Sequence, residues 1–336
     1  MKKILIINVN WLGDVIFSTP AIKALRNKET DAHIACLVIS HTEEVLKNNP
    51  RINEIIVYDE YGKHRTFLAK IKFIRYLRKK RFNQVYILHP SLRRAMIGFL
   101  AGIPERIGYG TKKRSFLLTK SIEIPDKLMH KIDYFLNLFE ACGVSRVDRE
   151  CEFFINDAGK KNARDILNAS GINSSEKFVV MNAGGNWMLK RWDPENFARL
   201  ADMLIEEKKV KIVFAGAKRD QDLTKQIVNL MKNKCSIITG QTDLHELAAI
   251  MQYACCVVSA DSGPLHIAAA SGVNAVAIFG PTSAELTGPV GSGKVIILKK
   301  EVNCSIPCYE TVCENRRCMN SIKPRDVFNS VINFIN

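Results

Sequence analysis

Ser259-Ala260-Asp261-Ser262-Gly263-Pro264-Leu265-His266-Ile267-Ala268-Ala269-Ala270 is the stretch that decides the fold. The apolar residues Cys255 to Val258 ahead of it read as a buried strand, and the small-residue turn opens a helix. Asp261 or Ser262 is placed to cap that helix, and Gly263 lets a ligand approach the backbone closely. Free N–H groups and the positive end of the helix dipole converge at this turn, which suits a phosphate. A nucleoside diphosphate is the ligand such a turn would take, although an ordinary capped helix after an ordinary strand reads the same way.

The same strand–turn–helix grammar runs outward along the chain. In the first half it predicts strands over 4–9, 33–39, 54–58, 84–88 and 106–108, with helices over 14–26, 66–80 and 91–101. A second series has strands over 178–182, 211–215, 236–239, 255–259 and 275–279, and helices over 194–207, 220–232, 244–253 and 263–270. Repeated β–α units mean parallel sheets covered by helices on both faces. At 336 residues the chain suits two domains of about 150 residues each. The polar break near 156–176 places them at 1–160 and 161–336. The expectation is an α/β protein of two Rossmann-like, doubly wound domains facing each other, with ligand in a central cleft beyond the carboxyl ends of both sheets. The last helix is free to pack back on the first domain.

Composition is that of a soluble globular protein, 47% hydrophobic and 25% charged. No apolar run reaches the roughly 18 residues that span a bilayer. Asn8, Asn10 and Asp14 interrupt the apolar N-terminus too early for a signal peptide, so it reads as a buried first strand in a cytoplasmic protein. Of the ten cysteines, Cys36, Cys142, Cys255 and Cys256 fall in predicted elements as the small apolar residues of a reducing compartment. The net charge is +15, and residues 1–155 hold 27 Lys and Arg against 16 Asp and Glu. The first half therefore seeks an anionic partner: a phosphorylated or carboxylated substrate, or an acidic membrane surface. Basic residues are not interleaved with aromatics in any recognisable module, which argues against nucleic acid.

Three motif look-alikes fail on context. Gly288 to Lys294 has the spacing of a phosphate-binding P-loop, but Val295 replaces the magnesium-binding hydroxyl and a strand follows instead of a helix. Asp220-Gln221-Asp222 lies in the first turn of a predicted helix, where carboxylates favour the dipole without a metal. Gly108-Tyr109-Gly110 lacks the third glycine of a dinucleotide fingerprint.

Three further segments complete the pattern: Gly13-Asp14-Val15-Ile16-Phe17-Ser18-Thr19-Pro20 after the first strand, Asn182-Ala183-Gly184-Gly185-Asn186-Trp187-Met188-Leu189-Lys190-Arg191-Trp192, and Phe279-Gly280-Pro281-Thr282. With the opening stretch, in this order and spacing, they resemble glycosyltransferase family 9, the ADP-heptose:lipopolysaccharide heptosyltransferases. The likeness covers nearly the whole chain, including 91–95, 99–109 and 239–248, and the first-half phrasing and C-terminal cysteines look most like the heptosyltransferase II branch.

The resemblance implies a GT-B fold and an inverting, metal-independent heptose transfer from ADP-heptose, a co-substrate, to an anionic lipopolysaccharide inner-core acceptor. The same fold with another nucleotide-hexose, or a non-catalytic nucleotide-sugar binder, are the alternatives. Asp14 matches the family's base and Lys190 its diphosphate-contacting lysine, with Arg191 able to substitute. Ala183, Gly184 and Gly185 offer bare N–H groups to an anion. Asp261, Ser262 and Gly263 complete the donor site; His266 touches the donor or bonds a neighbouring loop, and Asp220 and Thr242 are candidates for nucleotide contacts. Lys63, Arg65, Arg93, Arg94 and Arg114 are candidates for the acceptor's anionic groups. The basic amphipathic helix over 66–80 suits peripheral contact with the inner membrane surface, though a core-packed helix with a charged outer face has the same pattern. Cys304, Cys308, Cys313 and Cys318 could supply four thiolates, but no C-x2-C pair exists and a loop packed by reduced thiols is the expectation.

Overall fold

The computed structural model describes residues 1–173 and 175–335. It divides into two compact units, Met1–Arg149 and a second beginning at Glu150. In the first, β1 (Lys3–Ile7), β2 (His33–Val38), β3 (Glu54–Val57), β4 (Gln84–Ile87), β5 (Glu105–Tyr109) and β6 (Lys120–Ile122) form one parallel sheet in the order β3-β2-β1-β4-β5-β6. In the second, β7 (Phe178–Asn182), β8 (Lys211–Ala215), β9 (Ser236–Ile237), β10 (Cys256–Ala260), β11 (Ala275–Ile278) and β12 (Val295–Leu298) repeat the plan as β12-β11-β10-β7-β8-β9. The central strands read Ile-Leu-Ile-Ile or Phe-Val-Val-Met because helices cover both faces and leave no wet side. Strand order reverses between β1 and β4 and between β7 and β10. Loops leave in opposite directions at those two points, and a crevice opens at the carboxyl edge.

Helix Asp157–Ala169 straddles the domain boundary read at 160. It packs along helix Leu244–Tyr253 and so stands with the second unit. The last helix, Pro324–Val331, buries Val327, Phe328 and Val331 in the second unit's core. The single helix predicted over 14–26 is two, Leu12–Phe17 and Thr19–Lys28. Pro20 has no N–H for the Ile16 carbonyl, and the Thr19 hydroxyl takes that carbonyl instead at 2.7 Å. Ser18, at the break, donates to the Val15 carbonyl and accepts from Asn8 of the strand end. Strand β6 is three residues, Lys-Ser-Ile, too short and polar to register as a buried run.

The P-loop look-alike has a packing explanation. It runs as a turn into β12, with its glycines pressed on backbone. A Cβ on Gly291 would lie 2.1 Å from the Ala269 carbonyl oxygen, and one on Gly293 equally close to that of Val273. Gly291→Ala should therefore destabilise the second unit by about 1–3 kcal/mol. A urea midpoint unchanged from the parent would show that this contact relaxes freely.

Candidate active site

At the switch point of the second sheet, β7 ends in Asn182 and β10 runs into Asp261 and Ser262. Asn182 Nδ2 donates to the Ser259 and Ser262 hydroxyls at 3.0 and 3.1 Å, and the two hydroxyls are 2.9 Å apart. This largely buried triangle ties the two loops together. Ser262 is the residue before helix Gly263–Ala270, but its side chain makes no capping bond. Nor does Asp261 cap, contrary to the reading from sequence: its carboxylate is engaged elsewhere, so neither side chain covers the helix's first N–H groups.

Asp261 is 7% exposed and is the hub of the site. Lys190 Nζ lies 2.6 Å from its Oδ2, the Thr282 hydroxyl donates to the same oxygen at 2.8 Å, and His266 Nε2 is 3.3 Å from Oδ1. Burial alone would raise the carboxyl's pKa, but the His266 hydrogen bond and the nearby His266 and Lys190 charges outweigh it and hold the group well below the usual range. Lys190 closes a short 3-10 turn, Met188–Lys190, and its ammonium also lies 5.5 Å from the centre of the Trp187 ring. His266, itself buried, faces the carboxylate of Asp261 in the turn that opens its own helix.

Arg191 takes a second role beside Lys190. Its Nε and Nη2 donate to the Gly185 carbonyl at 2.9 and 2.7 Å, and Nη2 sits 3.6 Å from Asp220. Asp220 is buried, accepts from the Ala217 N–H at 3.0 Å, and lies against Gly184 so closely that a Cβ there would be 2.3 Å from its carboxylate. Ala183 is buried at the start of this loop, while Thr242 is half-buried in the turn before helix Leu244–Tyr253. Arg316 clasps the far end, donating to the Arg191 carbonyl and to Asp193 Oδ1. Trp192 Nε1 bonds the Ile322 carbonyl at 3.0 Å. The Lys190 loop is thus anchored from both sides.

In the first unit, Asp14 lies half-buried in the first turn of helix Leu12–Phe17, just beyond the carboxyl end of β1. His89, two residues past the end of β4, is a residue at the same edge of the sheet that the sequence reading missed. Its Nδ1 accepts the Ser91 N–H at 3.1 Å, which places a neutral ring's proton on Nε2. Burial, then the positive charges of Arg94 and Arg114, push its pKa down to about 4. Arg94 is buried, with Nη2 3.3 Å from Asn10 Oδ1 and its guanidinium 5.0 Å from the centre of the Tyr58 ring. Arg114, also buried, donates to the Tyr109 and His89 carbonyls at 2.8 and 2.5 Å. Lys63, Arg65 and Arg93 are exposed on the loop after β3 and at the start of helix Leu92–Leu100. His89 had a signal in sequence: it directly follows the strand predicted over 84–88. Thr282 stood in a quoted motif, but no pattern tied it to Asp261.

All ten cysteines are free thiols, with Cys304 and Cys313 exposed. Among the described residues no three His, Cys, Asp or Glu side chains are grouped to hold a metal ion. No helix among them is long and apolar enough to cross a membrane.

Residues 70–318 match the family described as glycosyltransferase family 9 (heptosyltransferase). Lipopolysaccharide heptosyltransferase 2 of Escherichia coli K12 is 26% identical over 310 residues, covering 86% of this chain and 85% of that one. A glycosyltransferase family 9 structure from Veillonella parvula superposes with a TM-score of 0.90 at 26% identity, covering 99% of this chain and 97% of its own. The structure of E. coli ADP-heptose lps heptosyltransferase II gives a TM-score of 0.82 at 23% identity, covering 100% and 98%. These likenesses bear out the α/β GT-B fold.

The His89 environment has a pH signature. In the unfolded chain the ring titrates near 6.5; in the folded site it stays neutral down to about 4. As pH falls through that window the unfolded chain takes up a proton that the folded site refuses, so stability drops. His89→Asn should flatten this part of the pH–stability curve, read from urea midpoints between pH 7 and 4; parallel curves would contradict the assignment.

Proposed function

The chain belongs to glycosyltransferase family 9, and on that premise we propose that it transfers heptose from ADP-L-glycero-D-manno-heptose to the lipopolysaccharide inner core, onto a first heptose already in place. The names of the E. coli relatives support this donor and acceptor class. The observation that carries the reading is the Lys190–Asp261 pair at the second sheet's switch point, 2.6 Å apart beside the uncapped start of helix Gly263–Ala270.

Transfer is a single displacement with inversion. Asp14 accepts the proton of the acceptor hydroxyl as its oxygen bonds the anomeric carbon. The bond from that carbon to the diphosphate breaks on the opposite face, and its electron pair leaves with ADP. Lys190 moves from Asp261 to the departing diphosphate, and a fixed ammonium beside helix N–H groups supplies the neutralisation that a metal would otherwise give. Asp261, retained by His266 and Thr282, keeps the lysine's resting position. Gly184, Gly185, Arg191, Ser262 and Gly263 line the donor, with Asp220 and Thr242 toward the nucleotide. Lys63, Arg65 and Arg93 meet the acceptor's carboxylates and phosphates, while Arg94 and Arg114 hold the loops beneath. A lipid-borne acceptor makes this a cytoplasmic enzyme working peripherally at the inner membrane.

Calorimetry against ADP, UDP, GDP and CMP in EDTA should give selective ADP binding. Preference for UDP or GDP would leave the fold and overturn the heptose donor; binding to none would favour a non-catalytic protein. Asp14→Asn should keep ADP binding and lower transfer on the order of 100-fold or more. Lys190→Ala should weaken ADP binding and lower transfer on the order of 100-fold. Near-normal turnover in either variant would remove that residue from the mechanism.

A further inference from the structure

Helices Phe67–Lys80 and Leu92–Leu100 cover the same face of the first sheet, where Phe73, Leu77, Ala95 and Ile97 pack with Val85 and Ile87. They are joined directly: Arg78 Nη2 donates to the Leu100 carbonyl at 2.8 Å, and Tyr58 lies between Phe73 and Arg94, in contact with both. What they turn outward is unusual for a solvated helix layer. Phe73 and Leu77 are the only buried residues of the longer helix, while Phe67 and Leu68 at its start are 76% and 70% exposed. On the shorter helix Leu92, Met96, Phe99 and Leu100 are all exposed, at the spacing of one helical stripe. The longer helix adds six Lys and Arg and the shorter the exposed Arg93, its Arg94 being buried, and neither holds a carboxylate.

A solvated outer face carries both signs of charge and few large apolar side chains. Here one sign is interleaved with exposed Phe, Leu and Met, the combination that seats a protein on a bilayer: apolar side chains enter the headgroup boundary while Lys and Arg meet lipid phosphates. We propose that the outer face of these two helices is a docking surface for an anionic phospholipid bilayer. Its location follows from topology. In a parallel sheet each helix starts at the carboxyl edge, so Phe67, Leu68 and Leu92 lie at the edge that carries Asp14, Lys63, Arg65 and Arg93. A surface seated there holds that edge against the lipid headgroups from which a membrane-borne acceptor projects. The use of the surface rests on the proposed function, but its affinity for lipid does not.

The test is co-sedimentation of the full chain with vesicles of phosphatidylcholine alone or with about a third phosphatidylglycerol. The expected result is partitioning to the anionic vesicles that 0.5 M salt suppresses. Phe67→Ser/Leu68→Ser and Lys72→Glu/Arg75→Glu, all at exposed positions, should each lower it about tenfold or more with the circular dichroism melt unchanged. Lys225→Glu, in the second unit, should not. Equal partitioning of parent and variants, or no preference for anionic lipid, overturns the proposal. So does a dimer in solution that Phe67→Ser/Leu68→Ser dissolves, because the stripe would then be an interface between copies. Transfer to a soluble core oligosaccharide should be the same in parent and variants and fall only for acceptor embedded in vesicles. A parent that transfers heptose to neither acceptor counts against the proposed function, while the vesicle partitioning still decides the surface.

Discussion

Right-handed crossovers are the constraint from which both halves of this protein follow. A parallel sheet wound outward in both directions from its centre must have one pair of neighbouring strands whose loops diverge. In the first unit that pair is β1 and β4, and in the second β7 and β10. Several of the polar residues of the candidate site stand on the loops that leave those four strands: Asn10, Asp14 and His89 in one unit, Asn182, Lys190 and Asp261 in the other. The strands themselves contribute apolar side chains and little else. The chemistry is laid on the edges of two sheets whose interiors could belong to many enzymes.

This division explains how much could be read from sequence. The strands of the second unit at Phe178–Asn182 and Lys211–Ala215, and the helices at Leu244–Tyr253 and Gly263–Ala270, match the predicted limits residue for residue because unbroken apolar runs and sharp turns mark them. The break at Ser18 was hidden, since Thr19 replaces by its side chain the hydrogen bond that Pro20 cannot make, a substitution that leaves the apolar period intact. Within the site, Asp14, Lys190 and Asp261 were legible from motif order. That Asp261 binds Lys190, His266 and Thr282 instead of capping its helix was not, because Lys190 and Thr282 come from other segments that only the tertiary fold brings to it. The same holds for Arg94 and Arg114, which look like surface cations in a basic sequence and are buried under the carboxyl edge.

The charge asymmetry sharpens with the structural boundary. Residues 1–149 hold 27 Lys and Arg against 14 Asp and Glu, whereas the second unit is close to balanced. Most of those Lys and Arg side chains lie outside the core, so the excess costs little in folding and acts on whatever approaches. Two acidic residues that meet the helices Phe67–Lys80 and Leu92–Leu100 are already committed: Glu54 bonds Lys80 and Tyr76, and Glu60 pairs with Arg93. The field that remains is positive.

Under the proposed function, the pairing of Lys190 with Asp261 has a consequence for the end of the catalytic cycle. A lysine that waits in water must be stripped of solvent by each incoming diphosphate and rehydrated when it departs. A lysine held by a buried carboxylate exchanges one anion for another, so the nucleotide gains only the difference between the two partners. On that reading an internal competitor that is never diluted would prevent tight retention of spent ADP. The carboxylate that would temper the lysine's affinity for the nucleotide would also let the site empty and begin again.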